Sequence, residues 1–146
     1  MSDETSTDAW PGGAPAVGDT ARMERVVGRR DIELFTEISG DRNPLHYDEQ
    51  YAASTPFGGL VVQGGVSTAI LNAVVAEQLP GPGSVFLNLT VDFRAPVRPG
   101  DTITGEVEVL EVRDDKPIMR CRMSVTRGDG VVAVEGTAVT YTMPPP

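Results

Sequence analysis

The stretch from Gly64 to Gly83 constrains the rest of the chain. Val66, Ala69, Ile70, Ala73 and Val74 recur at helical intervals as far as about Leu79, with Ser67, Thr68, Asn72 and Glu77 interrupting only mildly. Pro80-Gly81-Pro82-Gly83 then ends the helix. A helix this apolar has to be buried, so other parts of the chain must cover it. Beyond Gly83 the chain is strand-like throughout. Val85, Leu87, Leu89, Val91 and Phe93 alternate, as do Ile103, Val107 and Val109, then Met119, Cys121, Met123 and Val125, then Val132, Val134 and Ala138. Turn-rich segments separate these runs: Ala95-Pro96 to Pro99-Gly100-Asp101, Asp114-Asp115-Lys116-Pro117, and Arg127-Gly128-Asp129-Gly130. Half-buried strands and one buried helix assemble most economically as an α+β fold, a curved antiparallel β-sheet around one long central helix.

The first half supplies smaller pieces. Residues 1–14 are acidic, small and broken by Pro and Gly, with Trp10 the one apolar anchor; they read as a flexible tail ahead of a single domain over 15–146. Val17 to Val27 is strand-like. Asp31 to Ile38 carries Ile32, Leu34, Phe35 and Ile38 at near-helical spacing, with Asp31 as N-cap. Gly40 and Asn43-Pro44 stop that helix, Asp48 to Ser54 forms a further short one, and Phe57-Gly58-Gly59 breaks it.

Composition removes several classes of function. A chain of 146 residues with 40% hydrophobic content buries one core rather than two. A formal net charge of -9 opposes binding to nucleic acid or to an anionic membrane surface, so a polyanionic small ligand needs a few well-placed arginines. The lone Cys121 cannot form an internal disulfide, and with a single histidine there is no zinc-site constellation, so no metal is expected. No run approaches the roughly 18 apolar residues of a membrane span, and the N-terminus lacks the basic and apolar regions of a secretory signal. A cytoplasmic protein is expected.

That single histidine, His46, follows Asp41 in the run Ser39-Gly40-Asp41-Arg42-Asn43-Pro44-Leu45-His46. Buried together beside a substrate, the two supply a proton donor and a proton acceptor at working pH. On spacing alone the same run is also an ordinary turn, in which Asp and Asn satisfy backbone donors and the histidine is merely solvated or hydrogen-bonded. Met119, Cys121 and Met123 read as core packing of an apolar strand, with no catalytic role for Cys121.

The wider pattern weighs on that choice. Phe35 to His46 together with Tyr51-Ala52-Ala53, Phe57-Gly58-Gly59, Leu79-Pro80-Gly81, Phe93-Arg94-Ala95-Pro96-Val97 and Gly100-Asp101 strongly resembles the MaoC-like, R-specific enoyl-CoA hydratase family, over about Val17 to Tyr141. The resemblance implies a hot-dog fold, an antiparallel sheet wrapped around one long helix and paired into a homodimer. It implies reversible addition of water across the trans-2,3 double bond of an enoyl thioester to give the R-3-hydroxyacyl thioester. Asp41 and His46 match the family's catalytic pair, and Asn43 belongs to the same signature loop. Coenzyme A or a carrier protein's phosphopantetheine arrives as part of the substrate, with no separate cofactor.

The charge developing on the thioester oxygen needs a donor, and the Gly64 N–H at the positive end of the long helix is placed to serve. A glycine that merely permits a tight approach is the alternative. Gln63-Gly64-Gly65 stands where many relatives read His-Gly-Met, and the volume absent at Gly65 is expected to admit a branched or substituted acyl group. Gln63, Gly65 and Asn72 are therefore candidate substrate contacts, Asn72 against the alternative of a core amide satisfied by backbone. Arg94 and Arg98, flanking the Pro96 turn, and Lys116 in the next hairpin are candidates for the substrate's phosphates or else solvated surface charge. Two other functions stay open: an acyl thioesterase in which Asp41 activates water against the carbonyl carbon, and a non-catalytic subunit that binds acyl thioesters.

Overall fold

Apolar alternation in the second half of the chain resolves into antiparallel strands, joined by one more from the first half. The computed structural model describes residues 9–144. Strands β1 (Thr20–Val26), β2 (Ser84–Phe93), β3 (Thr102–Val112), β4 (Ile118–Arg127) and β5 (Val132–Thr142) form one sheet in the order β1-β3-β4-β5-β2. Between β1 and β2 lie helices α1 (Arg29–Ser39), α2 (Pro44–Tyr47), α3 (Glu49–Ala53) and α4 (Gly64–Glu77). Among the described residues no helix is long and apolar enough to cross a membrane.

The sheet curves around α4. Ile103, Val107 and Val109 of β3, Met119, Cys121, Met123 and Val125 of β4, and Val134 and Ala138 of β5 form one buried cluster with Ile70, Leu71, Val74 and Val75 of the helix. Removing these side chains from water is the main stabilising term of the fold, at about 1.5–3 kcal/mol for each large aliphatic residue fully buried. Cys121 belongs to this core, and burial pushes its thiol up to about 11. At neutral pH it stays protonated, as a packing residue would.

Sequence and structure part company at four places. Regular alternation along β2 fails because Phe86 opposes Thr140 while Asn88 opposes Val139, so Leu87 is an extra residue that reverses the parity. Phe86 and Val91 pack on the core, whereas Leu87, Leu89 and Phe93 are exposed, since β2 is an edge strand with no further strand of the described residues beside it. A second irregularity beside Val132 leaves it exposed and buries Ala133 instead. The N-cap of α1 is Gly28, not Asp31. Asp31 lies three residues into the helix and reaches back, one oxygen accepting the Gly28 N–H at 2.8 Å and the other paired with the Arg25 guanidinium.

The fourth is Trp10. Residues 1–8 of the expected tail lie outside the described residues, but Trp10 is only 2% exposed and belongs to the core cluster. Its indole Nε1–H donates to Arg113 O at 2.9 Å, tying the N-terminal segment to the β3–β4 hairpin. One aromatic anchor is enough to fix a polar segment when its ring is buried and its N–H is satisfied. Trp10→Ala is expected to cost about 3–5 kcal/mol, read as a lower urea midpoint with the slope unchanged.

Candidate active site

Three short polar side chains wind the chain between α1 and α2. Ser39 Oγ accepts the Asp41 N–H, Asp41 Oδ1 accepts the Asn43 N–H, and Asn43 Oδ1 accepts the Leu45 N–H, each at 3.0 Å. Pro44 then opens α2, its fixed φ suiting the first helical position. The outcome is that His46 turns inward and is 8% exposed.

Its ring is oriented from behind. His46 Nδ1 lies 2.7 Å from Val61 O, and because a carbonyl can only accept, Nδ1 carries the proton. In the neutral ring Nε2 therefore presents its lone pair to the other side. Asp41 Oδ2 faces that nitrogen at 3.6 Å. The separation is too long for a direct hydrogen bond, so two acceptors converge on one place where a single water can donate to both.

The loop carrying Asp41 hangs on a buried hydroxyl. Thr36, on the same face of α1 as Ile32, has its Oγ1 2.8 Å from Asp41 O, 3.0 Å from Ile32 O, 3.2 Å from Gln63 Nε2, and in contact with the Tyr47 hydroxyl. Gln63 is 1% exposed, and the same Nε2 also donates to Ile32 O at 3.1 Å. Its Oε1 is buried with no partner, an arrangement that costs about 1–3 kcal/mol.

Gly64, the first residue of α4, opens onto a cavity of about 340 Å³ lined by Phe57, Val61, Ser67, Phe93, Arg94 and neighbours. Among the described residues no backbone carbonyl meets its N–H. The Phe93 ring lies so close that a Cβ at Gly64 would sit 2.8 Å from it. Val61 is among the residues lining this cavity, and its carbonyl is the one that fixes the histidine. The N-terminus of α4 thus opens on an apolar recess, and Val61, one of the residues lining that recess, fixes from behind the imidazole that faces Asp41.

A family model described as a MaoC-like domain matches residues 14–133. The chain belongs to that family. It is 40% identical to the 3-hydroxybutyryl-CoA dehydratase of Methylorubrum extorquens over 84% of its own length and 78% of the relative's. It is 38% identical to the (R)-specific enoyl-CoA hydratase of Aeromonas caviae, over 84% and 92%. The solved (R)-hydratase structure from A. caviae superposes with a TM-score of 0.84 at 36% identity, covering 88% of this chain and 98% of that one. The α+β hot-dog architecture expected from the sequence is therefore the observed one.

Within this MaoC-like domain the other candidate residues separate. Asn43 is exposed, and its side-chain oxygen is spent on capping α2, so it shapes the loop. Gln63 is buried and is not among the residues lining the cavity at Gly64. Gly65 does not open the pocket: the Phe35 ring fills the position a side chain there would take, so the expected extra acyl space is already occupied. Asn72 is exposed on α4 and is neither a core amide nor a lining residue of the cavity at Gly64. Arg94 lines that cavity and pairs with Glu135 at 2.9 Å and Asp92 at 3.4 Å.

Arg98 is engaged by the backbone of the segment before α4. It donates to Leu60 O at 3.4 Å and to Phe57 O, while the Val62 N–H donates to Val97 O at 2.8 Å, and together these clamp the segment that carries Val61. Lys116 lies in the β3–β4 hairpin, at the opposite end of the sheet from Arg94. Sequence reasoning missed Thr36, Tyr47, Val61 and Phe93. Only Thr36 left a trace, as a polar residue one turn after Ile32 on the apolar face of α1. Gly65→Ala is expected to destabilise by about 1–3 kcal/mol, because Phe35 is wedged against the helix. Gly64→Ala is expected to cost less, because the exposed Phe93 ring can turn aside; thermal melts of the two variants check the order.

Proposed function

We propose that this MaoC-like domain is an R-specific hydratase of trans-2-enoyl thioesters, equally a dehydratase of 3-hydroxyacyl thioesters, with Asp41 and His46 as its proton-transfer pair. One observation carries the reading: His46 Nε2 and Asp41 Oδ2 face each other at 3.6 Å, each able to accept from the same water. The M. extorquens and A. caviae relatives point the same way, being 3-hydroxybutyryl-CoA dehydratase and (R)-specific enoyl-CoA hydratase.

That geometry supports the following course. Water held by the pair adds its oxygen to C3 while its proton passes to Nε2, for which the Nδ1–H···Val61 O bond sets the tautomer. Electron density moves through C2 to the thioester oxygen, where the Gly64 N–H at the positive end of α4 stabilises the enolate. C2 then takes a proton from the Asp41–His46 pair, which returns what water gave. Reversing every step removes water. The cavity at Gly64 suits the thioester end of an acyl-coenzyme A or acyl-carrier-protein substrate, and Arg94, the cation among its lining residues, is the candidate for a phosphate.

Two further parts of the reading concern context. A homodimer is supported by β2, an edge strand whose Leu87, Leu89 and Phe93 are exposed beside unpaired backbone. A second copy pairing along that edge covers them. A cytoplasmic location belongs to the same reading, and a buried, reduced Cys121 thiol is compatible with it.

Crotonyl-coenzyme A is the first substrate to test. Loss of the conjugated enoyl absorbance without thiol release is the expected result, with kcat falling about 10²–10⁴-fold in His46→Ala and Asp41→Asn while both variants melt as folded proteins. Thiol release from a saturated acyl thioester would instead make the protein a thioesterase. Light scattering checks the assembly: the wild type is expected to have twice the mass of the chain, and Leu89→Asp to have the mass of one chain.

A further inference from the structure

Gln63 is built into the site without access to it. Its side chain is buried, lines neither the cavity at Gly64 nor the larger apolar groove beside Phe35, and leaves its own Oε1 unpaired. What it does is supply two amide hydrogens to one place.

A helical threonine ordinarily donates its hydroxyl to the carbonyl four residues back. For Thr36 that carbonyl is Ile32 O, at 3.0 Å. Gln63 Nε2 already donates to Ile32 O, and its second hydrogen goes to Thr36 Oγ1. With the back-bonding acceptor served and a donor at its oxygen, the Thr36 proton is released to its shorter contact, Asp41 O at 2.8 Å. The Tyr47 hydroxyl then donates to Thr36 Oγ1, completing a consistent set. Thr36 holds the Asp41 backbone, the Asn43 N–H holds Oδ1, and Oδ2 is left facing His46.

We propose that Gln63 is a positioning residue, which turns the Thr36 hydroxyl onto the Asp41 carbonyl and thereby sets the Asp41 carboxylate against His46. The proposal rests on the reading of Asp41 and His46 as the proton-transfer pair and adds the residue that aligns them from outside the substrate site.

The test uses Gln63→Met, which keeps length and removes both donors, Thr36→Val, which removes the hydroxyl, their double variant, and Thr36→Ser, which keeps the hydroxyl. With crotonyl-coenzyme A, kcat is expected to fall about 10–100-fold in Gln63→Met and in Thr36→Val with KM little changed. The double variant should lose no more than either single, and Thr36→Ser should retain most of kcat. A second readout is independent of turnover. The chain has one histidine, so its imidazole Hε1 resonance reports His46 directly, and it is expected to move in Gln63→Met and Thr36→Val in the same sense as in Asp41→Asn.

Wild-type kcat in Gln63→Met, losses that multiply in the double variant, or a raised KM with kcat kept would each overturn the proposal, the last by showing that Gln63 meets substrate. If the wild type hydrates no enoyl thioester, the hydratase reading fails and the imidazole signal alone decides: movement in both folded variants upholds the positioning role, and an unmoved signal overturns it.

Discussion

Burial of α4 in the concave face of the sheet is the interaction on which the rest depends. Neither partner is stable alone. By itself this short, apolar 14-residue helix would expose Val66, Ile70, Leu71, Val74 and Val75, and the sheet would present Ile103, Val107, Met119, Met123 and Val125 to water. Packed together, they fix the axis of α4 and so the direction in which its N-terminal N–H groups point. The recess at Gly64 is a consequence of that packing, since the last residue of β2, Phe93, closes over the helix end.

The reactive groups are held by a different kind of interaction. Asp41 lies in the loop after α1 and His46 in the one-turn helix α2, and besides the side-chain bonds that wind the loop the segment is held by hydrogen bonds to carbonyl oxygens. Asp41 O receives Thr36, Val61 O receives His46, Val97 O receives Val62, and Phe57 O and Leu60 O receive Arg98. Each bond is modest in net stability, about 0.5–1.5 kcal/mol. Their joint effect is orientation, which matters more than stability where two acceptors must meet one water.

Charge is used sparingly in this arrangement. Most ion pairs among the described residues, such as Arg22 with Glu106 and Arg113 with Asp115, lie on exposed faces. In the exposed hairpins the guanidinium holds the Asp115 and Asp129 carboxyls below the usual range. Solvent screens such pairs, so they contribute little to the fold. The Asp41–His46 pair differs in having a buried member whose ring is fixed from behind and a carboxylate tethered through both backbone and side chain.

Periodicity determined the elements: α4 by its 3.6-residue repeat, β3 and β4 by strict alternation, and the loop to His46 by Asp, Asn and Pro, whose side chains bond locally wherever they stand in a chain. Local physics reaches that far, which is why Asp41, Asn43, Pro44 and His46 were legible together. Long-range contacts decided the remainder. Nothing near Gln63 in sequence shows that its amide meets α1 thirty-one residues earlier, that Arg98 is spent on Phe57, or that Phe35 fills the room left by Gly65. The extra residue in β2 was equally hidden, because register against β5 is a property of two strands rather than of one. Propensity and pattern act between neighbours, whereas the place of a buried polar group is set by whichever distant partner the packed core brings within hydrogen-bonding reach.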